Sequence, residues 1–183
     1  MSQQTSWTLD PAHTHVEFAV RHLMIATVKG RFTGVEGTIS THGSSWETGG
    51  IEARIQAHSI TTGNEQRDQH LRSADFLNVE QFPALTFRST AIESIGEGKF
   101  RLIGDLTIKD VTRPVELLAN QEGTVRDPWG GYRAGFTATG RINRSDFGIT
   151  WNQAIETGGV LVGDEIRISI EAELLQTALP AAA

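Results

Sequence analysis

The feature that most restricts this chain is a two-residue alternation of apolar and polar side chains that recurs eight times along it. Thr14, Val16, Phe18, Val20 and His22 fall on one face of a first strand, opposite His15, Glu17, Ala19 and Arg21. Val28, Gly30 and Phe32 follow, then Ile51, Ala53, Ile55 and Ala57, then Leu85, Phe87, Ser89 and Ala91. The later rows are Phe100 to Ile108, Val115 to Ala119, Phe136 to Ile142 and Ile166 to Leu174. Side chains of a strand point alternately to opposite faces, so each row reads as a half-buried strand. Eight such rows with short polar breaks predict an all-β chain, either an up-and-down antiparallel barrel or a two-sheet sandwich. The breaks carry turn chemistry: Ser40 to Gly50, Ser94 to Lys99, Thr112-Arg113-Pro114 and Asn120 to Gly131.

Two segments do not alternate. Asn64 is suited to cap a helix, and Leu71, Ala74 and Leu77 follow at roughly helical spacing, so a short helix is predicted over Glu65 to Ser73. Asn143 to Gly159 carries Phe147, Ile149 and Trp151 among polar residues and glycines, and reads as a long ordered loop over one barrel end. The Ala-rich tail from Leu179 reads as frayed. A chain of 183 residues, 38% hydrophobic, suffices for one core, so 1–183 reads as a single domain with the barrel over about 7–175.

The formal net charge of −6 argues against a nucleic-acid partner, which needs a clustered basic face. Cysteine is absent, which excludes disulfides, thiolate metal sites and a cysteine nucleophile. The opening MSQQTSWTLD has neither a basic nor an apolar signal region, so a cytoplasmic location is predicted. Transient membrane contact and a homodimer both remain open.

Gly30, Gly104 and Gly140 share faces with large apolar residues, where a missing side chain marks either a bend or free space. Together with Ala53, Ala57, Ala91 and Ala138 they could line an open tube, since an eight-stranded barrel is wide enough either to be filled by its side chains or to hold one small ligand. The pattern does not choose between these.

Several stretches resemble one known family. They are Asp10-Pro11-Ala12-His13-Thr14-His15-Val16-Glu17-Phe18 with Arg21-His22-Leu23-Met24; Ser59 to Asn64 running into Arg67-Asp68 and His70 to Phe76; Gly104 to Ile108; Thr112 to Val115; and Asn143 to Ile149. In order and spacing this series resembles the YceI-like, polyisoprenoid-binding proteins from Trp7 to Leu174. The resemblance implies an elongated eight-stranded lipocalin-like barrel that binds, and carries or stores, a long isoprenoid or isoprenoid quinone in its interior. The bound lipid would be the only ligand, with no cofactor.

On that reading the tail contacts are Phe18, Val20, Phe32, Phe87, Leu106, Ile108, Phe136 and Ile142, with Phe76, Phe147 and Trp151 closing the ends. His22 continues the row of Phe18 and Val20 and is either a core histidine or a contact to a polar part of the ligand. Arg67, His70 and Arg72 are the head-group candidates, although Arg67 and Asp68 read first as residues that cap the helix and staple it to the barrel. Arg113 and Arg144 are weaker candidates, placed in turns where a solvated charge is ordinary. His13 and His15 could face the same way as a metal pair, but His13 reads as a polar anchor and no metal is predicted. No nucleophile elbow, zinc-protease or nucleotide-loop motif is present, so the chain reads as a non-enzyme. Two rivals stand beside this: an enzyme acting on the head group through His22, Asp68 and His70, and a ligand-free stress-response protein with a filled barrel.

Overall fold

The structure, a computed structural model, describes residues 4–177; the Ala-rich tail lies outside the described residues. Eleven strands form one antiparallel sheet: β1 (Gln4–Leu9), β2 (His15–His22), β3 (Ala26–Phe32), β4 (Val35–His42), β5 (Ser45–Gln56), β6 (Ile60–Thr61), β7 (Ala84–Gly96), β8 (Lys99–Ile108), β9 (Val111–Arg126), β10 (Tyr132–Asn143) and β11 (Val162–Thr177). They make eight staves. β1 and β2 both pair with β11 and form one stave broken at Asp10 to Thr14. β3 and β4 form the next, broken at Thr33 and Gly34, and β5 and β6 the third, broken by a 3₁₀ turn at Ala57–Ser59. Pairing of β1 with β11 closes the barrel and decides between the barrel and the sandwich that the alternation left open.

Inward and outward faces follow the sequence pattern, with one instructive departure. A bulge between Ser89 and Ala91 of β7 shifts the register, so Ile92 rather than Ala91 faces the interior. Beyond that bulge β7 parts from β5. The two strands are laddered only over Glu52–Gln56 and Ala84–Arg88, and at the fork the Ile51 N–H donates to Ser89 Oγ at 2.9 Å.

The break expected at Thr112-Arg113-Pro114 does not exist; β9 runs through it, and the turn lies at Lys109 and Asp110. Pro114 pairs with Asp105 of β8, whereas β10 joins β9 only from Leu117 onward, so the proline sits where the strand has one neighbour and needs no second ladder bond.

The helix α1 (Glu65–Arg72) starts at Asn64, whose side chain accepts from the Arg67 N–H, as its position predicts. It lies at the barrel end that also holds the β2–β3 and β8–β9 turns and the segment after β10, which opens with a 3₁₀ turn at Arg144–Phe147. This is the helix end. The opposite, hairpin end carries the β4–β5, β7–β8 and β9–β10 turns.

Candidate functional site: an apolar lumen

Between the two ends runs a cavity of about 330 Å³ whose surface is supplied almost wholly by carbon. Its walls come from every stave: Phe18 and Val20, Phe32 and Ile39, Ile51 and Ile55, Leu85 and Phe87, Leu102 and Leu106, Leu117, Phe136 and Ile142, and Ile166 to Leu174. The volume is at the small end of the roughly 300–1,000 Å³ typical of ligand pockets.

The inward glycines keep this space open by an indirect route. A Cβ on Gly30 would lie 2.3 Å from Phe18 Cζ, one on Gly104 2.5 Å from Phe87 Cζ, and one on Gly140 2.4 Å from Leu117 Cδ2. Each glycine therefore takes a neighbouring strand's large side chain flat against the wall instead of leaving a gap of its own. Rings that would otherwise project toward the axis are laid along the sheet.

The ends are closed differently. At the helix end Ala57, Ile60, Phe76, Leu77, Val79, Leu85, Phe147 and Ile149 form a packed plug. At the hairpin end the closure is aromatic: Trp46 lies 5.2 Å from Trp7 and 4.9 Å from Phe136, and Phe136 lies 6.4 Å from Phe100. Trp7 and Trp46 were not singled out in the sequence because Trp46 sits in a Ser/Gly-rich stretch that reads as a turn. The alternation of Thr5, Trp7 and Leu9 is the signal that marks Trp7.

Of the predicted tail contacts, Phe18, Val20, Phe32, Phe76, Phe87, Leu106, Ile108, Phe136 and Ile142 line the lumen. Phe147, 1% exposed, and Trp151 belong to the plug behind it. His22 ends β2, paired with Ala26 and Val162, and lies outside the lining.

The cationic candidates are held by the fold. Arg67 donates to Thr62 Oγ1 at 2.7 Å and Thr62 O at 3.2 Å; Arg72 donates to the carbonyls of His58 and Ile60 at 2.9 and 2.8 Å. His70 Nε2 lies 2.9 Å from Asp75 Oδ2, with its ring edge-on to Trp151 at 4.6 Å and Phe76 at 5.0 Å. Asp68 is buried and accepts from Thr61 Oγ1, Thr62 N and Thr62 Oγ1. Burial alone would raise its carboxyl, but those bonds and the charge of Arg72 outweigh it and hold the group below its ordinary value.

Arg144 is not the solvated turn residue its sequence position suggests. It is 6% exposed and borders the lumen, and its guanidinium donates to the carbonyls of Ile149, Trp151, Val162 and Gly163. Burial pushes its pKa down, partly offset by the charge of Asp164. One buried hydroxyl in the lining, Thr14 Oγ1, has no hydrogen-bond partner among the described residues.

Asp10, His13 and Glu173 present ligand atoms within 4.8 Å of one another on the outside of the barrel. Arg133 already sits among them, donating to Asp10 at 3.1 Å, to Asp127 at 3.1 Å and to Glu173. A dication there would have to displace that guanidinium. The cluster is best described as an ion network joining the β1–β2 break to the β9–β10 turn, with His13 as its exposed outer member. The hydrogen bond to Asp10 raises the His13 pKa, helped by the charge of Glu173.

This geometry has relatives. The family model described as "YceI-like domain" matches residues 7–174. The chain belongs to the YceI-like family. It is 38% identical over 170 residues to a UPF0312 protein of Staphylococcus aureus, covering 92% of this chain and 96% of that one. A UPF0312 protein of Shewanella denitrificans is 41% identical over 138 residues, covering 75% of this chain and 72% of the other. Among solved structures, the YCEI protein of Campylobacter jejuni superposes with a TM-score of 0.75 at 31% identity, covering 86% of this chain and 90% of that one. A polyisoprenoid binding domain from Saccharophagus degradans shares the fold at a TM-score of 0.68 and 12% identity, covering 93% of this chain and 98% of that domain. The closed eight-stranded antiparallel barrel agrees with the predicted fold and with these relatives.

Proposed function

We propose that this barrel binds a long isoprenoid lipid, of polyprenyl or isoprenoid quinone type, and carries or stores it with the tail in the lumen. The observation that carries the reading is the continuous, carbon-lined void between two closed ends. An empty cavity with that lining forfeits dispersion contacts that a hydrocarbon would supply. Each CH₂ of the tail that the lumen takes up nominally gains ~0.8 kcal/mol, from which the cost of ordering the chain is subtracted.

The lumen offers a head group almost nothing polar beyond the Thr14 hydroxyl, so a charged head belongs outside it. The reading of a head-group enzyme through His22, Asp68 and His70 gains no support, because Asp68 already accepts from Thr61 and Thr62, His70 is bonded to Asp75, and among the described residues neither is bonded to His22. A ligand-free structural role would be favoured by a filled centre, which is not what is found.

The test is native mass spectrometry of gently purified protein, followed by organic extraction. A stoichiometric adduct that extracts as an isoprenoid is expected. Empty protein that also fails to take up added polyprenol would overturn the proposal.

A further inference from the structure

The wall of the lumen is interrupted where β5 and β7 part. Their ladder ends at Glu52 and Arg88, and beyond it β5 stays with β4 while β7 stays with β8. The inward lining stops at the same place. On β5 it runs Ile55, Ala53 and Ile51 and resumes only at Trp46; on β7 it runs Leu85 and Phe87 and resumes only at Ile92. The two interruptions lie side by side, bounded by Ile51 and Phe87 toward the helix end and by Trp46 and Ile92 toward the hairpin end. Parted strand edges leave main-chain N–H and C=O groups without ladder partners. One of them, the Ile51 N–H, is served by Ser89 Oγ at 2.9 Å, a side-chain bond across the fork where the ladder has ended.

Outside this point lies a second depression, and its lining is polar. Ser6, Thr38, Ser40 and Ser89 bring hydroxyls, Gly50 adds no side chain among them, and Glu52 and Arg88 complete it. Ile39 and Ile51 belong to the walls of both spaces, so the groove and the lumen are separated by one thickness of chain. The cations around the groove are all matched. Arg88 stands 3.4 Å from Glu52 and opposite Asp105 of β8, Arg54 is 3.9 Å from Glu36, and Arg101 is 3.2 Å from Glu93 and 3.4 Å from Glu116. Glu47 adds a further carboxylate near the fork, and Lys99 and Glu97 at the β7–β8 turn cancel. A phosphate wants unspent guanidinium or ammonium groups and would meet surplus carboxylate here. A hydroxyl or carbonyl head needs only the hydroxyls and strand edges that are present.

We propose that this groove seats the head group of the lipid whose tail fills the lumen, with the chain passing through the wall at the β5–β7 fork, and that it selects an uncharged oxygen head over a phosphate. The proposal rests on the carrier reading. The lumen itself is lined by carbon and gives a head group no seat, and the arginines expected to hold one at the helix end, Arg67 and Arg72, are spent on main-chain carbonyls of their own chain. The groove is the polar surface that adjoins the lumen where its lining is interrupted.

Because the chain contains no cysteine, a single introduced thiol can be followed alone. Ser40→Cys places one in the groove, and Ser169→Cys places one on the exposed face of β11, across the barrel from the fork. Loading with a polyprenol should slow alkylation of Ser40→Cys by N-ethylmaleimide severalfold and leave that of Ser169→Cys unchanged. A bulky maleimide coupled to Ser40→Cys should slow transfer of polyprenol to phosphatidylcholine vesicles about tenfold or more, with the unlabelled form of the same variant as the control for folding. In competition for uptake by wild type, polyprenol should outbind a polyprenyl phosphate of equal length about tenfold or more. Alkylation of Ser40→Cys at the same rate with and without lipid, equal protection of Ser169→Cys, or transfer unaffected by the bulky group would each overturn the seat at the fork, while leaving the carrier reading in place so long as polyprenol is bound. Uptake of the phosphate as good as that of polyprenol would overturn the selection of an uncharged head. Protein that takes up neither lipid would remove the carrier reading and this proposal with it.

Discussion

The two ends of the barrel solve the same problem with different materials. At the helix end the lumen is closed by main chain: α1, the turn at Ala57–Ser59 and the segment after β10 cross it, and their polar groups are tied down by Asp68, Arg72 and Arg144. At the hairpin end, among the described residues, closure rests on the side chains of Trp7, Trp46, Phe100 and Phe136, beside a wall that opens where β5 and β7 part. A main-chain plug yields only if several hydrogen bonds break together, whereas an aromatic closure yields by rotation about χ1 and χ2. The helix end should therefore govern stability, and the hairpin end the rate at which a tail gets in or out.

Arg144→Met tests the first half and should have the largest effect. It strands carbonyls of Ile149, Trp151, Val162 and Gly163 that now accept from the guanidinium. At ~1–3 kcal/mol for each group left buried without a partner, and with some regaining water, a loss of about 4 kcal/mol in urea unfolding is expected. A loss below ~1 kcal/mol would mean that the plug is not held together from Arg144.

Trp46→Ala should show the converse. Trp46 is half-buried and no main-chain hydrogen bond depends on its side chain, so its removal should cost only about 1–2 kcal/mol of stability, less than a fully buried tryptophan would. Release of bound polyprenol into acceptor vesicles should quicken severalfold, because the ring that meets Trp7 and Phe136 is gone. If release is unchanged while Arg144→Met quickens it, the tail leaves by the helix end and the assignment of roles is reversed.

How much of this was legible in the sequence follows the same division. The eight staves were readable because two-residue alternation survives wherever one face is buried. Even the count was right with β1 and β4 unseen, since each continues a stave already represented by β2 or β3. The α1 cap was equally plain, because Asn64 does locally what an N-cap asparagine does anywhere. Tertiary context hid the rest. Pro114 reads as a turn unless one knows that β9 lacks a second neighbour there, and Ala91 reads as inward unless one knows that β7 bulges. Arg144 reads as a surface charge because the four carbonyls it serves lie up to 19 residues away, beyond any local signal.

Acid should separate the ends less sharply. Asp68 at the helix end and Asp10 and Asp127 in the network nearer the hairpin end are all held below their ordinary carboxyl values: Asp68 against the pull of burial, Asp10 first by its bond to His13, and Asp127 by the Gly131 N–H and Arg133 once burial is overcome. A carboxyl depressed in the folded state lends stability that is fully present above its unfolded value of about 4 and is lost as pH falls through the lower folded value. His13 runs the other way: its raised pKa lends stability below about pH 6.5 that is lost as pH rises through the folded value, and its exposure keeps that share small. Urea midpoints should therefore fall steeply below about pH 4 and sag slightly above neutrality. Asp68→Asn keeps an acceptor for the Thr62 N–H but cannot titrate, so it should flatten the acid limb by its own share and leave the alkaline sag intact. An acid limb as steep in Asp68→Asn as in wild type would place the acid sensitivity in the Asp10–Arg133–Asp127 network, and hydrogen exchange in acid should then open the β9–β10 turn before α1.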